Sequence, residues 1–567
     1  MKITPCVVLF GIPTVPHHAA LGGSASPAPP LVLCRWAKPK ALAVAVVSAS
    51  CFGIISTAAL AEKSGGILKF YHRGTPPSGS IHEEATSSTL VPYMSVFNNL
   101  VMFDQAKPVN SAETIVPDLA KSWAWGGDKT KVTFTLRKGV KFHDGKPFTA
   151  KDVVCTWNLI LGKSKAKLRK NPRKSWYKNL ASVEANGDYE VTFNLKRRQP
   201  AFLMLLASGY SPVYPCHVPP KKMRTKPIGT GPFKFVSLKQ NEHVKFTKNK
   251  DYWKKGRPLL DGHEWTIIKS RSTRVLGFIA GKFDMSFAGD ISIPIYKDLI
   301  KQAPHAICEK HATNVSTNLI VNQFKPPFDN GKIRKAMVLT IDRASFNKIL
   351  GHGEFIMSGA MLPPPHGVWG MPPEVLKNVA GYHPDVAANR AEARKIMKSL
   401  GYGPDNRLKV KVATRNIAIY RDPAVLLIDH LKEIFIDGEL DTVETSNWHA
   451  KVARKDYQVG LNLTGIGVDD PDAMFYENYA CGSQRNYTGY CKEEMMKLFE
   501  KQSMMDNGPE RMKLVYEIDK KLQEDAARPI IANNVRYNCF QPYVKGFKTQ
   551  TNSLYNGWRF EDIYLDK

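Results

Sequence analysis

The sequence predicts an α/β protein built on several sheets. Three observations carry this prediction. Short segments that alternate apolar and polar residues recur, as half-buried strands require. Between them lie capped segments with apolar residues at helical spacing. The 567 residues, 43% hydrophobic and 23% charged, suffice for two or more structural units with large cores.

The elements follow in order. Gly66-Ile67-Leu68-Lys69-Phe70-Tyr71-His72 reads as a strand, broken by Thr75-Pro76-Pro77-Ser78-Gly79. Lys131 to Arg137 alternates strictly, with Val132, Phe134 and Leu136 on one face. Val191 to Leu195 alternates as well, after a turn at Asn186-Gly187-Asp188. Together these predict twisted antiparallel sheet in the 100–225 region. Thr149 opens a helix, with Asp152 as its capping partner and Val153, Val154, Trp157 and Leu159 along it. A second helix starts at Asp385, runs through Ala387, Ala391, Ala393 and Ile396, and stops at Gly401. A third spans Glu510 to Leu522, with Met512, Leu514, Val515 and Ile518 at helical spacing. These stripes are core packing. Leu440 to Thr445 reads as a further strand.

The N-terminal region reads as an export signal. Arg35, Lys38 and Lys40 precede an apolar run from Ala41 to Leu60, which ends in Ala59-Leu60-Ala61, a small-residue cleavage site ahead of Glu62. The run is also long enough to serve as an uncleaved anchor, but its Ala and Ser content and the well-placed site favour cleavage. Cys51 suggests a lipid attachment site, for which Ser48-Ala49-Ser50 is a poor context. Residues 1–34 are Pro-rich and weakly patterned; residues 1–30 are read as an extension upstream of a true start near Leu31–Leu33. No later run resembles a membrane span, so a soluble periplasmic chain is expected.

Six cysteines follow Ala61: Cys155, Cys216, Cys308, Cys481, Cys491 and Cys539. An even number in an oxidising compartment predicts disulfides, although sequence leaves fifteen connectivities open. Cys481 and Cys491 make the best pair, because they bracket a short polar loop. Zinc is the weaker reading, since no CxxC or nearby His pair accompanies them.

Catalytic and cofactor motifs are missing from the sequence. There is no GxSxG, no Walker loop, no HExxH and no GxGxxG after a strand. His82-Glu83-Glu84 lacks a second His, and Gly229-Thr230-Gly231 lacks the following Lys-Ser/Thr of a phosphate cradle. No enzyme activity, cofactor or metal is expected. The acidic run Asp469-Asp470-Pro471-Asp472 is a candidate for holding a cation or amine, or a solvated turn. The formal charge is +29; residues 1–61 hold four of these charges and no acid, which leaves +25. The basic residues are scattered and no nucleic-acid motif accompanies them, so a solvated basic surface is expected and no nucleic acid.

Several stretches resemble the family 5 extracellular solute-binding proteins, the dipeptide-, oligopeptide- and nickel-binding group. They are Pro117-Asp118-Leu119-Ala120-Lys121-Ser122-Trp123 and the run Thr133 to Val153, which contains Lys141-Phe142-His143-Asp144-Gly145-Lys146-Pro147-Phe148. Gly229-Thr230-Gly231-Pro232-Phe233-Lys234-Phe235, Asn249 to Pro258, Pro326 to Asn330, Ile333 to Ala336, Asp342-Arg343 and the C-terminus from Tyr555 follow in consistent order. Gly139 and Gly145 suit positions of positive φ, so His143 and Asp144 are read as shaping a domain rather than touching ligand.

The resemblance implies a two-lobed, hinged periplasmic-binding-protein fold with an extra domain inserted in the first lobe. The first lobe is placed at 62–105, 226–310 and 535–567, the inserted domain at 106–225 and the second lobe at 311–534. Cys308 and Cys539 then lie near the two crossings, where a bridge would fit. The implied function is the binding subunit of a bacterial ABC importer. A monomer captures a peptide or other small solute by lobe closure and delivers it to a permease and ATPase at the inner membrane. The alternative is a secreted hydrolase or other extracellular enzyme.

Peptide-binding members of the family resemble one another in a cleft loop, where an Asp four residues before a Pro pairs with the ligand's α-amine. In Thr464-Gly465-Ile466-Gly467-Val468-Asp469-Asp470-Pro471 that position is Gly467. Asp469 and Asp470 are the substitute candidates. His72 and Arg73, at the end of the first strand, are further candidates by position. Arg271 or Arg274 is a candidate for a carboxylate. Asn447 and Trp448, the latter as an aromatic platform, follow the strand predicted at Leu440 to Thr445.

Overall fold

Three sheets organise the chain in a computed structural model that describes residues 62–567. The export signal, its cleavage site at Ala61 and Cys51 lie outside the described residues. In the first sheet, Ile67–His72 pairs in parallel with Gly262–Ile267. His243–Lys248 and Phe233–Lys239 continue it antiparallel. The third sheet is fully antiparallel, from Ala120–Trp125 through Lys131–Leu136 and Glu190–Leu195 to Leu180–Ala185. Its two central strands, Lys131–Leu136 and Glu190–Leu195, alternate buried and partly exposed residues, as the sequence pattern requires.

The second sheet is mixed and five-stranded. Leu408–Arg415 runs parallel to Ile436–Val443 and to Val459–Gly465. Beside these lie two long strands, Ile307–Val321 and Ile530–Phe540. Ile530–Phe540 also reaches the first sheet through Met285. At one end Met285 bridges Phe70 and Phe540, and Ile291 bridges Tyr537; at the other end Val315 to Val321 pairs with Val459–Gly465. Cys308 and Cys539 face each other here and form a disulfide. Between them and the second sheet the register slips from Ala312 to Ser316, with Asn314 at φ 47°. Such a bulge bends and twists the strand between its two ends.

The predicted helices form. Thr149 donates its backbone N–H to Asp152 at 3.0 Å ahead of Ala150–Leu161. Asp385 caps Val386–Ser399, and Gly401 follows at φ 85°. Pro509–Glu524 buries Leu514, Val515 and Ile518. One prediction needs correction. The strand expected at Leu440 to Thr445 ends at Val443, and Thr445–Ala453 is a helix. Trp448 and Val452, one turn apart, form its inward stripe.

The family-like motifs pack on one another. His143 pairs its Nε2 with the carbonyl of Gly231 at 2.9 Å, and its N–H donates to Gly229 at 2.9 Å. Burial pushes its pKa down to about 4, so it is neutral and structural. Gly139 and Gly145 adopt φ of 76° and 86°. A Cβ on Gly229 or Gly231 would run into the backbone of Val96 or Ser95, so the close approach requires glycine. Cys155–Cys216 and Cys481–Cys491 form the other two disulfides. Among the described residues, no helix is long and apolar enough to cross a membrane.

Candidate functional site

A narrow chamber of about 40 Å³ is lined by residues from the ends of the first and second sheets. Arg73 and Ser87, beside the first sheet, and Arg415, Tyr420 and Arg536, on or beside the second, line it together with Tyr555. Two adjoining spaces extend it. A pocket of about 120 Å³ shares Ile419, Asn534 and Arg536 with the chamber and is walled by Phe346, Leu350 and Phe355. An outer space of about 940 Å³ shares Arg73 with the chamber and Arg271 with the pocket.

Topology explains how these side chains arrive. Arg73 follows the carboxyl end of Ile67–His72, and Arg415 ends Leu408–Arg415. Both strands are parallel to a neighbour, and ligands of α/β sheets collect at the carboxyl ends of such strands. Arg536 comes from the crossing strand Ile530–Phe540, close to the bulge.

The three arginines are buried, at 6%, 2% and 5% exposure. Arg73 donates to Ser87 Oγ at 3.0 Å and stacks over Phe287. Arg415 donates to Tyr420 at 2.7 Å and to Thr445 at 2.9 Å. Arg536 reaches only Asn534 and the carbonyl of Val535, and stacks over Phe355. The Nε of each has no hydrogen-bond partner. Burial pushes Arg536 down to about 9, with Arg271 and Arg73 adding to it, which leaves it charged at neutral pH. Burial and the charge of Arg415 also hold Arg73 below its ordinary value. His449 lines the chamber too; burial and then Arg415 push it well below 6.5, so it is neutral.

The residues nominated by sequence divide. Arg73 faces the chamber, while Arg271 and Asn447 line the outer space. His72 points into the first lobe, where Nε2 meets the carbonyl of Ser88 at 3.0 Å and burial pushes its pKa to about 3. Arg274 is spent on Asp290, with two contacts of 2.9 Å. Trp448 is no platform: it is fully buried and donates to Asn462 at 3.2 Å.

The acidic loop is neither a solvated turn nor an open carboxylate. Asp470 caps Pro471–Asn478 and is gripped by Arg511 at 3.1 and 3.0 Å. Asp472 accepts from Gln199, Gln502 and Ser503. Gly467 presents backbone only. A Cβ there would stand 2.5 Å from Trp176 and 2.7 Å from Ser208 Oγ, so an Asp side chain has no room without a shift. Among the described residues, no group of three or more His, Cys, Asp or Glu side chains is placed to hold a metal ion.

Asp469 is buried beside Gly367; Asn552 and the backbone N–H of Val368 face its carboxyl without completing a well-formed hydrogen bond. Burial pushes its carboxyl up to about 7. The folded state therefore binds this proton more tightly than the unfolded state. Its destabilising effect is complete above about pH 7 and vanishes as pH falls toward about 4. Asp469→Asn is expected to raise stability at pH 8 by up to about 4 kcal/mol and by almost nothing at pH 4. Urea unfolding at the two pH values checks this. An equal change at both would mean that the carboxyl is solvated.

Sequence reasoning missed Arg415, Arg536 and Tyr420. One signal was available for Arg536: an arginine inside Ile530-Ile531-Ala532-Asn533-Asn534-Val535-Arg536-Tyr537, a run otherwise fit for a central strand.

The family model for bacterial extracellular solute-binding proteins, family 5 Middle, matches residues 114–486. The oligopeptide-binding protein AppA of Bacillus subtilis is 26% identical over 91% of this chain and 96% of its own length. The probable di/tripeptide-binding protein 5 of Pseudomonas aeruginosa is 23% identical over 80% of this chain and 87% of its own. The Helicobacter pylori periplasmic binding protein DppA, in complex with peptide STSA, superposes with a TM-score of 0.77 at 24% identity, covering 89% of this chain and 99% of that one. The two-lobed architecture with lobes hinged over a cleft is thus shared with solved binding proteins, and the chain belongs to the bacterial extracellular solute-binding proteins, family 5.

Proposed function

We propose that this protein is the binding subunit of an ABC importer, which captures a peptide or peptide-like small solute between its lobes. One observation carries the reading: a chamber lined from two sheets, with Arg73 at the end of one and Arg415 and Arg536 on the other, beside the long strands Ile307–Val321 and Ile530–Phe540. A solute held there touches both lobes and favours the closed form in proportion to those contacts. Closure then presents a surface for a membrane permease and its ATPase. The lobe boundaries at 62–105, 226–310 and 535–567 against 311–534, with 106–225 inserted, belong to this reading, as does release into the periplasm by cleavage after Ala61.

Thermal unfolding of the protein, refolded to remove bound solute, tests the proposal against di- to pentapeptides, amino-acid conjugates and oligosaccharides. A true ligand at 100 times its Kd is expected to stabilise by about 2.7 kcal/mol. Silence across all classes would count against a solute-binding role.

A further inference from the structure

The chamber is charged in one sense only. Arg73, Arg415 and Arg536 line it and no acid does. Among the described residues, no carboxylate lies within ion-pair distance of any of the three. The acid whose charge both Arg73 and Arg536 feel is Asp290, and both of its oxygens are held by Arg274. Asp422, at the pocket, stands 3.9 Å from Arg271. Glu444, at the outer space, accepts from Asn416. A desolvated cation without a counter-charge is costly, and three in one chamber repel one another. Side chains arranged in this way find their partners in the ligand.

The pockets add shape. Arg536 stands where the chamber meets the apolar pocket, Arg73 where it meets the outer space, and Arg271 between pocket and outer space. Phe346, Ile349, Leu350 and Phe355 make the pocket wall apolar. No carboxylate lines the chamber to meet a peptide's ammonium: Gly467 carries none, Asp470 is bound to Arg511, and Asp469 is buried away from the lining.

Resting on the importer reading and deepening it, we infer that the solute is a small dianion. It carries two separated oxyanion groups, which meet the arginine forks, and one apolar group, which enters the Phe346–Phe355 pocket. It needs no free ammonium. Arginine forks pair with carboxylate and phosphate alike, so the probes must separate the two sources.

Calorimetry on the refolded protein would use N-succinyl-phenylalanine, which has two carboxylates, one ring and no amine. Succinate lacks the ring, phenyl phosphate replaces the carboxylates, and Ala-Phe keeps the ring in a zwitterion. N-succinyl-phenylalanine is expected to bind at least about tenfold more tightly than Ala-Phe or succinate, a difference of about 1.4 kcal/mol. Phenyl phosphate has a single oxyanion group, so its tighter binding would move the source to phosphate and overturn the two-group assignment. Binding of Ala-Phe as tight as that of both anionic ring compounds, or no binding of any anion, overturns the inference. In the second case, a hit among neutral or cationic peptides leaves the importer reading standing, and silence there as well removes both.

Two variants add an independent readout. Arg415→Gln is expected to weaken the best anion by about 30-fold or more, because it strands an oxyanion in the chamber. Arg536→Met is expected to weaken it similarly while the ligand-free protein melts at the same or a higher temperature, since an unpaired buried charge has been removed. A lower melting temperature for Arg536→Met with binding intact would make the arginine structural and overturn its assignment.

Discussion

Arg511→Met is expected to lower the stability of the protein by about 3–5 kcal/mol, the usual cost of stranding a buried charge. Arg511 is 1% exposed and serves several acceptors at once. It grips Asp470 with two contacts, takes Gln502 Oε1 at 3.1 and 3.0 Å, and reaches Asn507. Asp472 lies 3.8 Å away, and both carboxylates are fully buried. Methionine fills similar volume without charge, so the loss isolates the electrostatic role. The damage should spread along the loop to Gly467, whose carbonyl accepts from Ser208 and Asn556. Urea unfolding at pH 7 measures the effect. A loss under about 1 kcal/mol would mean that the carboxylates find water or protons instead of Arg511.

The second large effect separates the disulfides. Cys308 and Cys539 are 231 residues apart, Cys481 and Cys491 only 10. A cross-link stabilises chiefly by restricting the unfolded chain, and the restriction grows with the logarithm of the loop. Replacing both cysteines by serine is therefore expected to cost about 5 kcal/mol for the long loop and about 3 kcal/mol for the short one. The long link also ties the long strands Ile307–Val321 and Ile530–Phe540 together, at the end nearest the first sheet. Urea midpoints of the two double variants give the comparison directly. Equal losses, or a larger loss for the short loop, would place the effect in native contacts rather than in chain entropy.

Much of the local structure was legible in the sequence. The strand at Lys131–Leu136, the capping pair Thr149 and Asp152, and the stop at Gly401 each depend on residues a few positions apart. The exception is instructive. Leu440 to Thr445 is rich in strand-forming residues, yet the chain turns at Glu444 because Trp448 and Val452 both bury as one helical face. Tertiary burial outweighs propensity over so short a segment.

The site was legible only in outline. Arg73 and Arg271 could be nominated from position, and so could Arg274 and Asp470, but nothing local tells a free charge from a spent one. Arg274 meets Asp290 across 16 residues, Arg511 meets Asp470 across 41, and Arg559 meets Asp118 across 441. Arg415 and Arg536 end up beside Arg73 with no acid at hand. The sequence by itself determined the family, the element types and the cysteines available for pairing, because motifs, periodicity and caps act over short spans of chain. Only the tertiary structure decided which arginines remain unpaired in the chamber. The fate of a charge depends on the groups that folding brings within a few ångströms of it, and those groups come from any distance along the chain.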